Sequence, residues 1–113
     1  MRTIIAGSRS IQNLRLVEEA TKECGWTISE VVSGRANGVD RLGEKWAKTN
    51  GIQIKGFPAN WGLHGKSAGY KRNVDMGNYA EALILVWDGS SRGSKMMLDI
   101  AKAKGIKIYE KVV

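Results

Sequence analysis

The sequence predicts an α/β fold, a Rossmann-like three-layer α/β/α sandwich around a mainly parallel five-stranded sheet. Short runs rich in β-branched residues alternate with longer segments whose apolar residues recur at helical spacing. This alternation favours parallel strands joined by right-handed crossovers, with helices on both faces of the sheet. A length of 113 residues, with no linker or low-complexity segment, indicates a single domain over residues 1–113.

The first half of the chain predicts three strands and two helices. The strands are runs rich in Ile and Val over residues 2–6, 28–33 and 52–57. Leu14 and Val17 belong to the apolar stripe of the first helix, which ends before Gly25 because glycine commonly stops a helix. The second helix carries a similar stripe from Val39 and ends near residues 50–51.

The second half predicts one long loop, two helices and two strands. The loop over residues 59–67 combines glycine with polar residues and follows Pro58, which ends the third strand. A helix over residues 68–79 precedes the apolar run 82–87, which is typical of a central strand covered on both faces. The pattern is completed by a polar turn over 88–93, a helix over 94–104 and a strand over 106–109.

The composition favours an anionic partner and excludes two classes of site. Eighteen Lys and Arg against 11 Asp and Glu leave a net charge of +7, which attracts nucleotides, nucleic acid or acidic protein surfaces. Cys24 and His64 are the only residues of their types, so neither a Cys/His zinc site nor an intrachain disulfide can form. No apolar run approaches the roughly 20 residues that span a bilayer, and the N-terminus lacks a secretory signal. We therefore expect a cytoplasmic protein with no membrane partner.

Three predicted strand-to-helix junctions combine glycine with a hydroxyl side chain and an arginine: residues 7–9, 33–38 and 89–94. Glycine lets a phosphate approach backbone N–H groups, a helix N-terminus adds positive potential, and Ser and Arg donate to anionic oxygens. Each junction alone fits an ordinary turn. Because parallel strands end at one edge of a sheet, the three together predict an anion-binding site there. Neither G-x-G-x-x-G nor the P-loop pattern occurs, which disfavours an NAD dehydrogenase or a P-loop NTPase.

Four further residues near this edge allow a functional or a structural interpretation. Asp40, in the first turn of its helix, can hold a ribose hydroxyl or interact with the helix dipole. Asp88 follows the central strand and can contact a hydroxyl, a base or a metal-bound water, or simply form a turn. Trp61 is the better candidate for stacking on a base. His64 has no carboxylate at helical or strand spacing to orient it as a general base.

The motifs at these positions resemble those of the YspA-like branch of the SLOG superfamily. They are residues 7–9, residues 33–43, Lys71-Arg72-Asn73 and residues 87–93. They occur in the family's order and span nearly the whole chain. The resemblance implies a Rossmann-like pocket for nucleotides or nucleotide-derived ligands, and association as a homodimer. The superfamily also includes the LOG phosphoribohydrolases and the single-stranded-DNA-binding protein DprA.

Residues 72–94 are similar to the LOG phosphoribohydrolases, which release a base from a nucleoside monophosphate with an arginine and a glutamate. The resemblance places Arg72 on that arginine and Met97 on the position of the glutamate. A thioether can neither protonate nor stabilise a developing charge, so the resemblance does not establish an enzyme. Arg35 stands where the related pattern commonly has a second glycine, and its side chain either binds phosphate or narrows the pocket.

We therefore predict a module that binds a phosphate-containing nucleotide or nucleotide-derived small ligand, as a sensor or a sequestering protein. Two alternatives stay open: a LOG-like hydrolase with Arg72, Asp88 or Asp40 as catalytic candidates, and DprA-like binding of single-stranded nucleic acid. No cofactor is required, although Mg²⁺ can accompany a phosphate ligand. The predicted ligand-binding residues are Gly7, Ser8, Arg9, Ser33, Gly34, Arg35, Gly38, Asp40, Arg72, Asn73, Asp88, Gly89, Ser91, Arg92 and Gly93.

Overall fold

A computed structural model describes residues 1–113 and places strands and helices in regular alternation. The strands are β1 (Arg2–Gly7), β2 (Glu30–Ser33), β3 (Gln53–Gly56), β4 (Ala82–Trp87) and β5 (Lys107–Val112). The helices are α1 (Leu14–Glu23), α2 (Val39–Thr49), α3 (Trp61–His64), α4 (Ala68–Tyr79) and α5 (Arg92–Lys104), with a 3₁₀ turn over Gly65–Ser67. None of these helices has both the length and the apolar character that crossing a bilayer requires.

The five strands form one sheet in the order β3-β2-β1-β4-β5, and every neighbouring pair is parallel. β1 pairs with β2 on one side, where Ile4 lies opposite Val32, and with β4 on the other, where Ile4 lies opposite Leu83. The strand order therefore reverses direction between β1 and β4. This arrangement confirms the predicted Rossmann-like sandwich and places a topological switch point at the β1/β4 junction.

Alternate residues of the central strands pack into two separate cores. Ile4 and Leu83 lie in the core that β1 and β4 share with α4 and α5. Ile5 and Ile84 lie in the core on the other face, which is covered by α1 and α2. β4 is buried along its whole length, as its uninterrupted apolar sequence predicts for a strand covered on both faces. One pair of helices thus covers each face of the sheet, and the carboxyl ends of the strands lie between the two pairs.

Several boundaries differ from the sequence prediction, among them the start of β2 at Glu30 instead of residue 28, and three of the differences have a local cause or partner. Within the predicted loop 59–67, residues 61–67 form α3 and the 3₁₀ turn, because the Asn60 side chain accepts a hydrogen bond from the backbone N–H of Leu63 at 3.0 Å. α5 begins at Arg92, two residues early, since Ser91 adopts the extended backbone of an N-cap. β5 continues to Val112, and its Glu110 accepts a hydrogen bond from the Trp87 indole.

Two glycines allow the loops after β1 and β2 to pack against neighbouring backbone. A Cβ on Gly7 would lie 1.7 Å from the carbonyl oxygen of Val86 in β4. Gly38 has φ +77°, and a Cβ there would lie 2.3 Å from the carbonyl oxygen of Ser8. No other residue fits either position without displacing backbone. This close packing holds the end of β1 against β4, and the loop after β1 against the start of α2.

We expect Gly7→Ala to lower the free energy of unfolding by about 3 kcal/mol or more, because the added methyl group cannot fit beside the β4 backbone. Gly93→Ala is the matched control, since a Cβ at Gly93 meets nothing within 4 Å. Alanine also has the higher helix propensity, so this control should be neutral or stabilising by up to about 1 kcal/mol. Urea unfolding followed by circular dichroism measures both, and equal stability of the two variants would contradict the expectation.

Candidate functional site

A cavity of about 530 Å³ lies beyond the carboxyl ends of β1 and β4. The loop after β1 forms one wall, the turn after β4 and the first turn of α5 form a second, and α4 forms a third. Ligands of open parallel sheets bind in the crevice at a switch point of this kind. We call this space the β1/β4 cavity.

The loop after β1 is joined to the turn after β4 by hydrogen bonds. The backbone N–H of Ser8 donates to the carbonyl of Val86 at 3.2 Å, and the Ser8 hydroxyl accepts from the backbone N–H of Asp88 at 3.1 Å. The Asp88 carboxylate in turn accepts from the backbone N–H groups of Ser90 and Ser91, each at 2.9 Å. These two bonds lower the pKa of Asp88, so its exposed carboxylate stays charged. The same bonds hold the turn after β4 in its conformation.

The N-terminus of α5 faces the same cavity. Ser91, Arg92, Gly93 and Ser94 all line it, and the Ser91 hydroxyl donates to the Ser94 hydroxyl at 2.7 Å. The first N–H groups of a helix have no partner within the helix, and they carry the positive end of its dipole. With no Cβ at Gly93, this turn offers an open surface of N–H groups to an anionic group in the cavity.

Arg72 of α4 reaches across the cavity to the loop after β2. Its Nε donates to the Asn73 side chain at 2.8 Å, and its Nη1 donates to the carbonyl of Gly34. A Cβ on Gly34 would lie 2.8 Å from a carboxylate oxygen of Asp40 and 2.9 Å from Arg72 Nη1. Gly34 thus leaves the space in which these two charged groups approach each other. Burial lowers the pKa of Arg72, opposed by the charge of Asp40.

Asp40 is a buried carboxyl on the cavity wall, 6% exposed. Burial raises its pKa from 3.8 to about 6, although the N–H of Ala36, which donates to Oδ2 at 3.3 Å, and the nearby Arg72 both oppose the shift. Removing a carboxylate from water disfavours its charged form more than these partners favour it. Asp40 therefore exchanges its proton close to neutral pH.

Most of the predicted ligand-binding residues line the β1/β4 cavity. They are Gly7, Ser8, Arg9, Asp40, Arg72, Asn73, Asp88, Ser91, Arg92 and Gly93. Gly34 and Arg35 line a smaller adjoining cavity of about 280 Å³. Arg9 and Arg72 line both cavities, so the groups predicted to enclose one anion do meet at a single edge of the sheet.

Three predicted residues line neither cavity. Ser33 is buried; its hydroxyl donates to Glu44 at 2.6 Å and accepts from the N–H of Arg35 at 3.1 Å, so it shapes the loop. Gly38 packs against the backbone of Ser8, and Gly89 occupies the turn after β4 with φ +86°. These three residues shape the loops around the cavities, and a direct contact with the ligand stays a prediction for them.

Several lining residues escaped the sequence analysis. Lys66 and Tyr70 line the β1/β4 cavity together with Trp61, the residue predicted to stack on a base, whereas His64 lines neither cavity. Neither Lys66 nor Tyr70 belongs to a glycine-arginine junction, and their approach depends on how α4 is set after the 3₁₀ turn. Glu44 lines neither cavity, but its place near the site was predictable, since it lies one helical turn after Asp40 on the same face of α2.

Comparisons with known proteins identify a family, a relative and a similar structure. The family model YAcAr, described as the YspA, cpYpsA-related SLOG family, matches residues 1–64. The gene 61 protein of Mycobacterium phage D29 is 33% identical over 86 residues, which cover 69% of this chain and 67% of the phage protein. DNA processing protein A (DprA) from Streptococcus pneumoniae has a similar structure, with a TM-score of 0.75 over 96% of this chain. The chain is 16% identical to DprA and spans 49% of its length, so the likeness shows the fold alone.

The buried carboxyl predicts how stability changes with pH. Because the pKa of Asp40 is about 6 in the folded chain and 3.8 ordinarily, the folded state holds a proton that the unfolded state has lost between those values. The contribution of Asp40 to stability therefore falls as pH rises from about 4 to 6 and stays lower above that range. Asp40→Asn resembles the protonated form. It should be more stable than the native chain by about 1–3 kcal/mol at pH 7.5, with no gain at pH 4.

Urea unfolding at pH 4, 5, 6 and 7.5 measures this difference. Asp75→Asn, which changes an exposed carboxylate on α4, is the control and should alter stability by less than about 0.5 kcal/mol. An Asp40→Asn chain that is less stable than the native chain at pH 7.5 would show that the charged carboxyl is net favourable.

Proposed function

The chain belongs to the YspA, cpYpsA-related SLOG family, as its motifs predict, and we propose that it binds a phosphate-containing nucleotide or nucleotide-derived small molecule in the β1/β4 cavity. Family membership and the DprA-like fold support nucleotide or nucleic-acid binding at a coarse level. The finer proposal, a small ligand at this particular site, depends on the geometry of the cavity.

The observation that carries the proposal is the convergence of anion-binding groups at the switch point. The Gly7-Ser8 backbone, the first turn of α5, Arg9 and Arg72 all line this one cavity. Half-burying Arg72 costs free energy because water no longer solvates its charge fully. A phosphate in the cavity would supply charge-assisted hydrogen bonds to replace the lost water.

The opposite side of the cavity suits a base. Met76, Met96 and Met97 give an apolar surface, and the rings of Trp61 and Tyr70 stand beside it, each residue 55% exposed. Aromatic side chains exposed at a cavity mouth provide stacking surfaces for bases. A volume of about 530 Å³ also lies within the roughly 300–1,000 Å³ range of small-molecule sites. The proposed ligand therefore lies with its phosphate at the loops and its base toward α3 and α4.

Isothermal titration calorimetry with the four common nucleoside 5′-monophosphates tests the proposal. We expect at least one to bind, and Arg9→Ala to weaken it about tenfold or more through loss of a charge-assisted contact. Arg15→Ala is the matched control because it removes an exposed arginine from α1, away from both cavities, and its affinity should equal that of the native chain.

Thermal shift measurements provide the second readout, since a ligand that binds only the folded state raises the melting temperature. Absence of both heat and thermal shift with all four nucleotides at about 1 mM would contradict the proposal. Equal affinity of the Arg9→Ala and Arg15→Ala chains would contradict the assigned phosphate position. The Mg²⁺ ion and the homodimer expected from the sequence stay predictions.

A second candidate function is hydrolysis of the bond between base and ribose, and it is favoured by the state of the two cavity carboxyls. Asp40, with a pKa of about 6, can donate a proton near neutral pH, whereas the lowered pKa of Asp88 keeps that group ionised. Met97 lines the cavity but offers no ionisable group. In this reaction water supplies the hydroxyl that joins the ribose, Asp40 protonates the departing base, and the proton that the water loses returns to the Asp40 carboxylate.

Chromatography of nucleoside 5′-monophosphates after incubation with the protein tests the hydrolysis. Release of free base is expected from the native chain, and Asp40→Asn should lower its rate by about 100-fold or more. The binding titration above serves as the control that the variant still takes up its ligand. Turnover that survives Asp40→Asn would remove Asp40 from the role of acid, and absence of turnover in the native chain leaves the binding function alone.

A further inference from the structure

The smaller cavity beside the β1/β4 cavity is rich in arginine. It lies between the loops after β2 and β3, has a volume of about 280 Å³, and shares Arg9, Ala36, Trp61 and Arg72 with its neighbour. Its lining holds four arginines and no carboxylate; the arginines are Arg9, Arg35, Arg41 and Arg72. We call this space the β2/β3 cavity.

The backbone around Arg35 places its guanidinium group at this cavity. Arg35 has φ +60°, the only residue other than glycine in the left-handed region, which is unfavourable for a side chain with a Cβ. Its N–H donates to the Ser33 hydroxyl at 3.1 Å, which holds this conformation. On β3, a Cβ at Gly56 would lie 2.3 Å from Arg35 Nε. The left-handed backbone of Arg35 thus sets the direction of its side chain, and the absence of a Cβ at Gly56 on the neighbouring strand leaves room for it.

One buried carboxylate serves two of these arginines. Nη1 of Arg35 and Nη1 of Arg41 each lie 3.6 Å from Oε1 of Glu44, whose side chain is only 7% exposed. The Ser33 hydroxyl donates to the other oxygen of the same carboxylate. Glu44 therefore orients both guanidinium groups, which are 44% and 53% exposed, but neutralises only one positive charge. The arginine pair keeps a surplus charge at the cavity.

We propose that the β2/β3 cavity is a second anion subsite. The ligand would then carry two phosphate groups, one on each side of a nucleoside. This inference rests on the proposed function for its first phosphate, in the β1/β4 cavity. The sheet order separates the two subsites by two strand spacings, or about 10 Å. A nucleoside between two phosphates suits this separation better than directly bonded phosphates. Trp61 lines both cavities and stands where the base or ribose would cross.

Calorimetry with three forms of the same nucleosides tests the inference: 5′-monophosphates, 5′-diphosphates and 3′,5′-bisphosphates of adenosine, cytidine, guanosine and uridine. We expect the bisphosphate to bind about tenfold tighter than the monophosphate, through new charge-assisted contacts. The 5′-diphosphate, with adjacent phosphates, should gain less. Arg41→Ala should remove the gain and leave the affinity for the monophosphate unchanged, whereas the Arg15→Ala control should retain both affinities.

Arg35→Gly gives an independent test because glycine adopts φ +60° without strain, so loss of the guanidinium group need not weaken the fold. It should also lose the bisphosphate gain, and Arg35→Lys should restore part of it. If monophosphates bind but bisphosphates show no advantage over 5′-diphosphates, or if neither Arg35→Gly nor Arg41→Ala affects the gain, the second subsite is wrong and the first stands. If no nucleotide of any form binds, both proposals fail.

The two phosphates can belong to a free nucleotide or to consecutive positions of a strand, and an eight-residue oligothymidylate separates these sources. We expect it to bind no tighter than thymidine 3′,5′-bisphosphate, as a small-molecule ligand requires. Tighter binding of the oligonucleotide that Arg41→Ala abolishes would support the two subsites and assign them to a nucleic-acid strand. Binding of the oligonucleotide unaffected by Arg41→Ala and Arg35→Gly would overturn the inference.

Discussion

The site depends on the contact between Arg72 and the loop after β2. Its guanidinium group donates to the carbonyl of Gly34 and stands beside the carboxyl of Asp40, which joins α4, β2 and α2 at one point. This point lies where the two cavities meet, since Arg72 lines both. Without a glycine at position 34, the two charged groups could not approach, and the wall between the cavities would lose its shape. The backbone at this position therefore controls the electrostatics of the whole edge.

The fold places more positive than negative side chains at this edge of the sheet. Five arginines line the two cavities, while the nearby buried carboxyls are Asp40 and Glu44, and the pKa of Asp40 is about 6. Burial disfavours the charged forms of Asp40 and Arg72, and the opposite charge of each group only partly offsets this effect on the pKa of the other. An anion entering the cavities supplies the missing countercharge. The net charge of +7 acts at longer range and would draw such a ligand toward the edge.

The fold was predictable because its signals are local. The helical stripe of α4 and the apolar run of β4 gave bounds that agree with the structure, whereas α3 was missed because it buries none of its residues and so shows no apolar periodicity. The site was predictable only in outline. Glycines and arginines at strand ends identify the edge, since parallel topology brings strand ends together.

Partners distant in sequence decided the remaining details. Ser33 has the residue type of a phosphate ligand, yet its hydroxyl is taken by Glu44 from α2. The direction of Arg35 depends on Gly56 of another strand, which no spacing within the loop reveals. Such pairings follow from how α2 and β3 pack against β2, so they become visible only when the tertiary structure is known.

Asp40 connects ligand binding to pH because its carboxyl lies close enough to Arg72 for the two charges to interact. A phosphate beside Arg72 would compete with the Asp40 carboxylate for the guanidinium group and would repel it, so the pKa of Asp40 should rise further when the cavity is filled. Protonation of Asp40 in turn removes that repulsion and leaves Arg72 free to pair with the phosphate. Because binding linkage is reciprocal, anion entry and proton uptake favour each other by the same free energy. By taking up a proton when an anion binds, Asp40 would thus remove a negative charge from the cavity wall.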